Sequence, residues 1–140
     1  MKKLCFWISL LVCTTVLLTG CAITYDYQLT ELENVSMRVI DPTATGATLV
    51  ITDTNEKPFM YGEWYAIQKE VDGEWVDVET VIREYGFNDI AYQPHEGTDT
   101  LRLTVDWEWL YGELPAGKYR ILKEVDKQFI SATFRVNDET

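Results

Sequence analysis

The sequence predicts an all-β sandwich of about seven strands. Three observations predict it. Apolar and polar residues alternate with a period of two in one short segment after another. Clusters of Gly, Pro, Asp and Asn separate those segments. No long stretch carries the period of a helix.

Taken in order, Val35, Met37 and Val39 alternate with Ser36 and Arg38, and this first strand stops at Asp41-Pro42. Thr45-Gly46 turns the chain, and Ala47, Leu49 and Ile51 alternate with polar positions up to Asp53. After the polar loop Thr54–Pro58, a long strand is expected from Met60 to Val71. Two registers compete there. Burying Ile67, which has no polar handle to justify exposure, puts Tyr61 and Tyr65 inward and Trp64 outward. Asp72-Gly73 is a hairpin signal, and Glu74–Glu79 returns with Trp75 as its anchor. Residues 80–98 are the least regular part, with a short helical turn expected at Val81–Tyr85. Strand Thr98–Glu108 follows, with Leu101, Leu103, Val105 and Trp107 on one face.

Leu114-Pro115-Ala116-Gly117 then breaks the period. Pro115 fixes φ, and Gly117 is expected to accept a positive φ. Tyr119 opens the next strand, two residues after Gly117, where its hydroxyl can bond back to the preceding backbone. That is the tyrosine corner of Greek-key sandwiches, and it makes Tyr119 structural rather than catalytic. The strand runs Lys118–Val125, Asp126-Lys127 turns tightly, and Phe129–Val136 is the last strand.

Ahead of this domain, Lys2 and Lys3 precede an apolar run from Leu4 to Leu18, which is short for a membrane span. Leu18-Thr19-Gly20-Cys21 resembles a bacterial lipobox. The resemblance implies cleavage before Cys21 and a diacylglycerol thioether on it, an anchor of two or more chains. The expected divisions are a lipoprotein signal peptide at 1–20, a lipidated N-terminus and tether at 21–33, whose Leu29 and Leu32 can dock, and the sandwich at 34–140. Cys5 and Cys13 fall in the leader, so the folded part has no thiol for a disulfide, a metal or a nucleophile.

The chain carries 12 Lys and Arg against 23 Asp and Glu, for a net charge of −11. Without Lys2 and Lys3 the balance is 10 minus 23, or −13. That disfavours nucleic acid, whose phosphates require a basic face. It equally disfavours flat adsorption to an anionic membrane, leaving membrane contact to the lipid on Cys21.

Tyr61-Gly62-Glu63-Trp64-Tyr65, the hairpin Asp72-Gly73-Glu74-Trp75 and the stretch Trp107–Tyr119 resemble the bacterial immunoglobulin-like domains of Gram-positive envelope lipoproteins and of sensor-peptidase ectodomains. The likeness runs from about Val35 to Val136. It implies an immunoglobulin-like Greek-key sandwich on the extracytoplasmic side of the cell membrane. It carries over no enzyme activity, cofactor or ligand.

The residues themselves point the same way. His95 is the one histidine and sits in a predicted loop, which is too little for a zinc site or a catalytic triad. Ser36 and Ser131, the only serines beyond the leader, lie in strand patterns, not on a nucleophile elbow. Asp53-Thr54-Asn55-Glu56 offers oxygens but lacks the length and glycine of an EF-hand loop, and reads as an Asx turn. No enzyme, cofactor or metal is therefore expected. The aromatics are the remaining candidates. Trp107 continues the leucine pattern inward, whereas Trp64, Trp109 and Tyr111 are expected to form a binding surface. Such a surface serves an envelope protein partner or a cell-wall glycan; a structural lipoprotein without a discrete ligand is the remaining alternative.

Overall fold

The computed structural model describes residues 25–138; Cys21 and the leader lie outside the described residues. The elements are β1 (Val35–Ile40), β2 (Gly46–Asp53), β3 (Tyr61–Gly62), β4 (Ala66–Val71), β5 (Glu74–Asp77), β6 (Ala91–Tyr92), β7 (Thr100–Asp106), α1 (Glu108–Tyr111), β8 (Gly117–Val125) and β9 (Gln128–Val136). They form an antiparallel three-stranded sheet, β1-β2-β7, and an antiparallel four-stranded sheet, β5-β4-β8-β9. The short β3 and β6 pair with each other.

Inward residues of both large sheets make the core. Leu49 and Val105 meet Tyr65, Ile67, Tyr119, Ile121 and Phe134 in one cluster, and Ile51, Tyr61, Leu101, Val125 and Ile130 form a second. The hairpins turn where their sequences require. Asp72 and Gly73 both take positive φ, 51° and 82°. Asp126 and Lys127 do so at 47° and 61°. These conformations match the right-handed twist of the strands they join. At the corner, the buried Tyr119 ring stacks on Phe134 and its hydroxyl donates to the Pro115 carbonyl at 2.6 Å.

Four local expectations are corrected. Gly117 does not take a positive φ; it begins β8, and a Cβ there would meet Lys69 Cε at 3.0 Å. The glycine opens the strand and is not a turn residue. The positive φ near the corner belongs to Gly112, at 69°, which caps α1. Second, the Met60–Val71 strand is broken at Glu63–Tyr65. The inward register holds on both sides of the break, but the two tyrosine hydroxyls need separate acceptors. Tyr61 reaches Asp53 Oδ2 at 2.8 Å and Tyr65 reaches the Asp106 carbonyl at 3.1 Å. Third, the strand before the corner ends at Asp106. Trp107 is fully buried with its Nε1–H on the Ala44 carbonyl, and Asp106 Oδ1 accepts the Glu108 N–H, which starts α1 instead. Fourth, Val81–Tyr85 forms no helical turn.

The segment ahead of β1 lies against the domain. Leu29 bridges Phe129 in parallel, Thr30 N–H donates to the Phe129 carbonyl, and Leu32 packs on the second cluster.

Candidate functional site

The three aromatics expected to form one surface lie in different places. Tyr111 is a core residue: α1 directs it inward, where its hydroxyl accepts the Ile67 N–H. Burial raises its pKa well above that of a free tyrosine. It is withdrawn as a surface residue. Trp64 is half-buried on the outer side of the break between β3 and β4, among Tyr27 and Phe129 at ring distances of 6.1 and 5.7 Å. Trp109 does not share a strand face with Trp107. It projects from α1, is 42% exposed, and meets Tyr85 and Phe87 edge-on at 6.4 and 5.8 Å. Trp64 and Trp109 therefore head two separate aromatic clusters.

The richer of the two exposed apolar surfaces surrounds Trp109. Val81 is 62% exposed and Tyr85 49%. The Val81 N–H donates to the Leu110 carbonyl, which pins the irregular 80–90 segment to α1. Ile82 and Ile90 of the same segment are exposed as well. This grouping is hard to read from sequence because α1 and the 80–90 segment are both aperiodic; isolated Val, Ile and Tyr between polar residues are its trace.

The second cluster, through Tyr25, Tyr27 and Trp64, lines a groove of about 450 Å³ whose wall is completed by Tyr85 of the first, with Asp77 and Glu79 beside them. Asp77 is already engaged, accepting from the Tyr25 N–H and from Gln68 Nε2.

Three polar residues bear on possible chemistry. Asp53 is 1% exposed, and its Oδ1 accepts from the Asn55 N–H and Nδ2 while Oδ2 accepts from the Phe59 N–H and the Tyr61 hydroxyl. Burial pushes its pKa up, but these hydrogen bonds outweigh burial and hold the carboxyl below its ordinary value. The loop is an Asx turn that closes on itself. His95 lies in a loop turn, its carbonyl accepting from Thr98. Lys123 was overlooked in the sequence. It continues the inward series Tyr119, Ile121 of β8 and is 2% exposed, with its ammonium on the Gly62 carbonyl. Extending the alternation by one step would have found it.

A family model described as a bacterial Ig-like domain matches residues 31–138. No curated protein matches the sequence. The matched residues take in both large sheets and the tyrosine corner, and the chain belongs to the bacterial Ig-like domain family.

Proposed function

We propose that this protein is a lipid-anchored, extracytoplasmic, non-enzymatic module that binds a protein partner at the cell envelope. The observation that carries the binding role is the concentration of exposed apolar side chains, Val81, Tyr85 and Trp109, on one segment tied to α1. The Tyr85 and Phe87 rings stand at 74° and 76° to that of Trp109. They offer a textured apolar surface of the kind that anchors protein interfaces, in place of the coplanar platform on which a sugar stacks. A photoreactive phenylalanine analogue at Tyr85 in growing cells is expected to give a discrete crosslinked adduct. Silence there, with the protein folded and at its normal level, contradicts the reading.

The lipobox-like Leu18-Thr19-Gly20-Cys21 supports the anchor, and so does a net charge of −11, which disfavours adsorption to anionic lipid. Cys21→Ala is expected to abolish incorporation of a labelled fatty acid. A variant that keeps the label places the lipid elsewhere.

A glycan is the second reading, favoured by the groove that Tyr25, Tyr27, Trp64 and Tyr85 line beside Glu79. Saturable stabilisation by soluble cell-wall fragments, lost in Trp64→Ala, would transfer the assignment to that groove.

A further inference from the structure

We propose that the groove beside β7 takes an extended polypeptide segment bearing a carboxylate, which adds to the three-stranded sheet as a fourth strand. The inference rests on the protein-binding reading and names the kind of segment bound.

β7 is an edge strand. The Asp53 N–H donates to the Asp99 carbonyl and the Trp107 N–H to the Thr45 carbonyl, at 2.8 and 2.9 Å. With the β2–β7 register, those two bonds fix the phase of the ladder. Leu101, Leu103 and Val105 direct their N–H and C=O groups to β2, so Arg102 and Thr104 direct theirs to the open edge. Among the described residues nothing pairs with the backbone of Arg102 or Thr104. Such a row of free donors and acceptors is a template for another strand.

The edge opens into a groove of about 590 Å³ that follows β7 from Leu101 to Asp106, lined also by Glu63, Tyr65, Trp109 and Lys123 and by residues between Gly86 and His95. Its charges are unequally committed. Glu63 accepts from Asn88 Nδ2 and the Tyr92 hydroxyl at 3.0 Å each, and Asp106 accepts the Glu108 N–H. The cations are free by comparison. Lys123 has three donor hydrogens and, among the described residues, one acceptor, the Gly62 carbonyl. Arg102 has no side-chain partner among the described residues, and neither cation is ion-paired there. An arriving ligand therefore finds Glu63 engaged at both oxygens and a buried ammonium short of acceptors. A carboxylate supplies them. An extended segment supplies the backbone partners for Arg102 and Thr104 with the same insertion. Burial holds the Lys123 pKa down to about 8, against an opposing pull from Glu63, so the ammonium is mostly charged near pH 7.

The test uses the detergent-solubilised full chain on an array of synthetic hexapeptides rich in β-branched residues, with glutamate, glutamine or lysine at each position. Selective retention of glutamate peptides is expected. Lys123→Met should weaken their affinity by about tenfold or more. Thr104→Pro removes an N–H that faces the open edge and no ladder bond to β2, so it should abolish retention with the melting temperature little changed. N-methylation of the peptide backbone should abolish it equally, and that result stands even where a protein variant fails to fold. The proposal is overturned if no peptide is retained, if retention ignores glutamate, or if it survives both substitutions. It is also overturned if N-acetylglutamate displaces the peptide at equal concentration, which would make the groove a small-carboxylate site. A crosslink from Tyr85 without any retained peptide would remove the groove and leave the binding module standing.

Discussion

Asp53→Ala is expected to lower the unfolding free energy by about 3–5 kcal/mol, enough to remove much of the stability of a domain this size. The carboxylate ends β2 and receives four hydrogen bonds, from the Asn55 N–H and side-chain amide, the Phe59 N–H and the Tyr61 hydroxyl. Its removal strands the Tyr61 hydroxyl in the core and frees the loop that leads into β3, and each buried donor left without a partner costs about 1–3 kcal/mol. Asp53→Asn keeps one acceptor and should lose less. The sign with pH is set by a carboxyl held below its ordinary value. Its contribution is present above the unfolded-state pKa and is lost as the pH falls through the folded value. The gap between wild type and Asp53→Ala in urea denaturation should thus narrow in strong acid. A gap of under about 1 kcal/mol at pH 7 would show that water replaces the carboxylate freely.

Lys123→Met is expected to stabilise the protein at pH 7 by about 2 kcal/mol. Burial lowers the Lys123 pKa from 10.5 to about 8. A shift of that size corresponds to about 3 kcal/mol of charge burial, of which about 1 is offset by the bond to the Gly62 carbonyl. Methionine fills the same space without a charge. A depressed pKa makes the native lysine least favourable below pH 8 and relieves the penalty as the pH rises toward 10.5. The advantage of the variant should accordingly shrink to near zero by about pH 9.5. Above pH 10 the buried tyrosines destabilise both proteins alike. Burial raises the pKa of Tyr65 to about 12, and raises those of Tyr61 and Tyr111 as well. Groups with raised pKa values contribute stability below the unfolded value and lose it above, so both proteins should unfold steeply in alkali. A Lys123→Met variant less stable than wild type at pH 7 would mean that the ammonium is better satisfied than its single carbonyl partner indicates.

The regular strands were legible because a period of two survives wherever one face of a sheet is buried. β2, β8 and β9 follow it closely, and the Asp72-Gly73 and Asp126-Lys127 turns announce themselves by residue type. The Tyr119 corner was legible from a tyrosine after a turn. What escaped was set by tertiary contacts. The short β6 exists because Tyr92 pairs with Tyr61 and its hydroxyl meets Glu63, across a long gap in sequence. The turn of α1 exists because Trp107 must reach the Ala44 carbonyl. The same cause displaced the candidate surface. Trp109 stands out among the aromatics, but its neighbours Val81 and Tyr85 are brought to it by the bond between the Val81 N–H and Leu110 and by the packing of Phe87 on Tyr65. Tyr111, two residues along a four-residue helix, faces the opposite way and lands in the core.

The claim that the Val81–Tyr85–Trp109 surface binds a partner is tested most directly by melting the protein inside intact cells and comparing it with the purified chain. A partner that binds only the native state raises its stability by mass action. Wild type should therefore melt at least about 4 °C higher in cells than when purified, a shift that about 1 kcal/mol of binding produces. Trp109→Glu should melt at the same temperature in both settings, since a carboxylate placed in the apolar surface removes the partner's increment whatever it does to folding itself. An in-cell increment of equal size in wild type and Trp109→Glu, or none in either, would contradict the assignment of this surface.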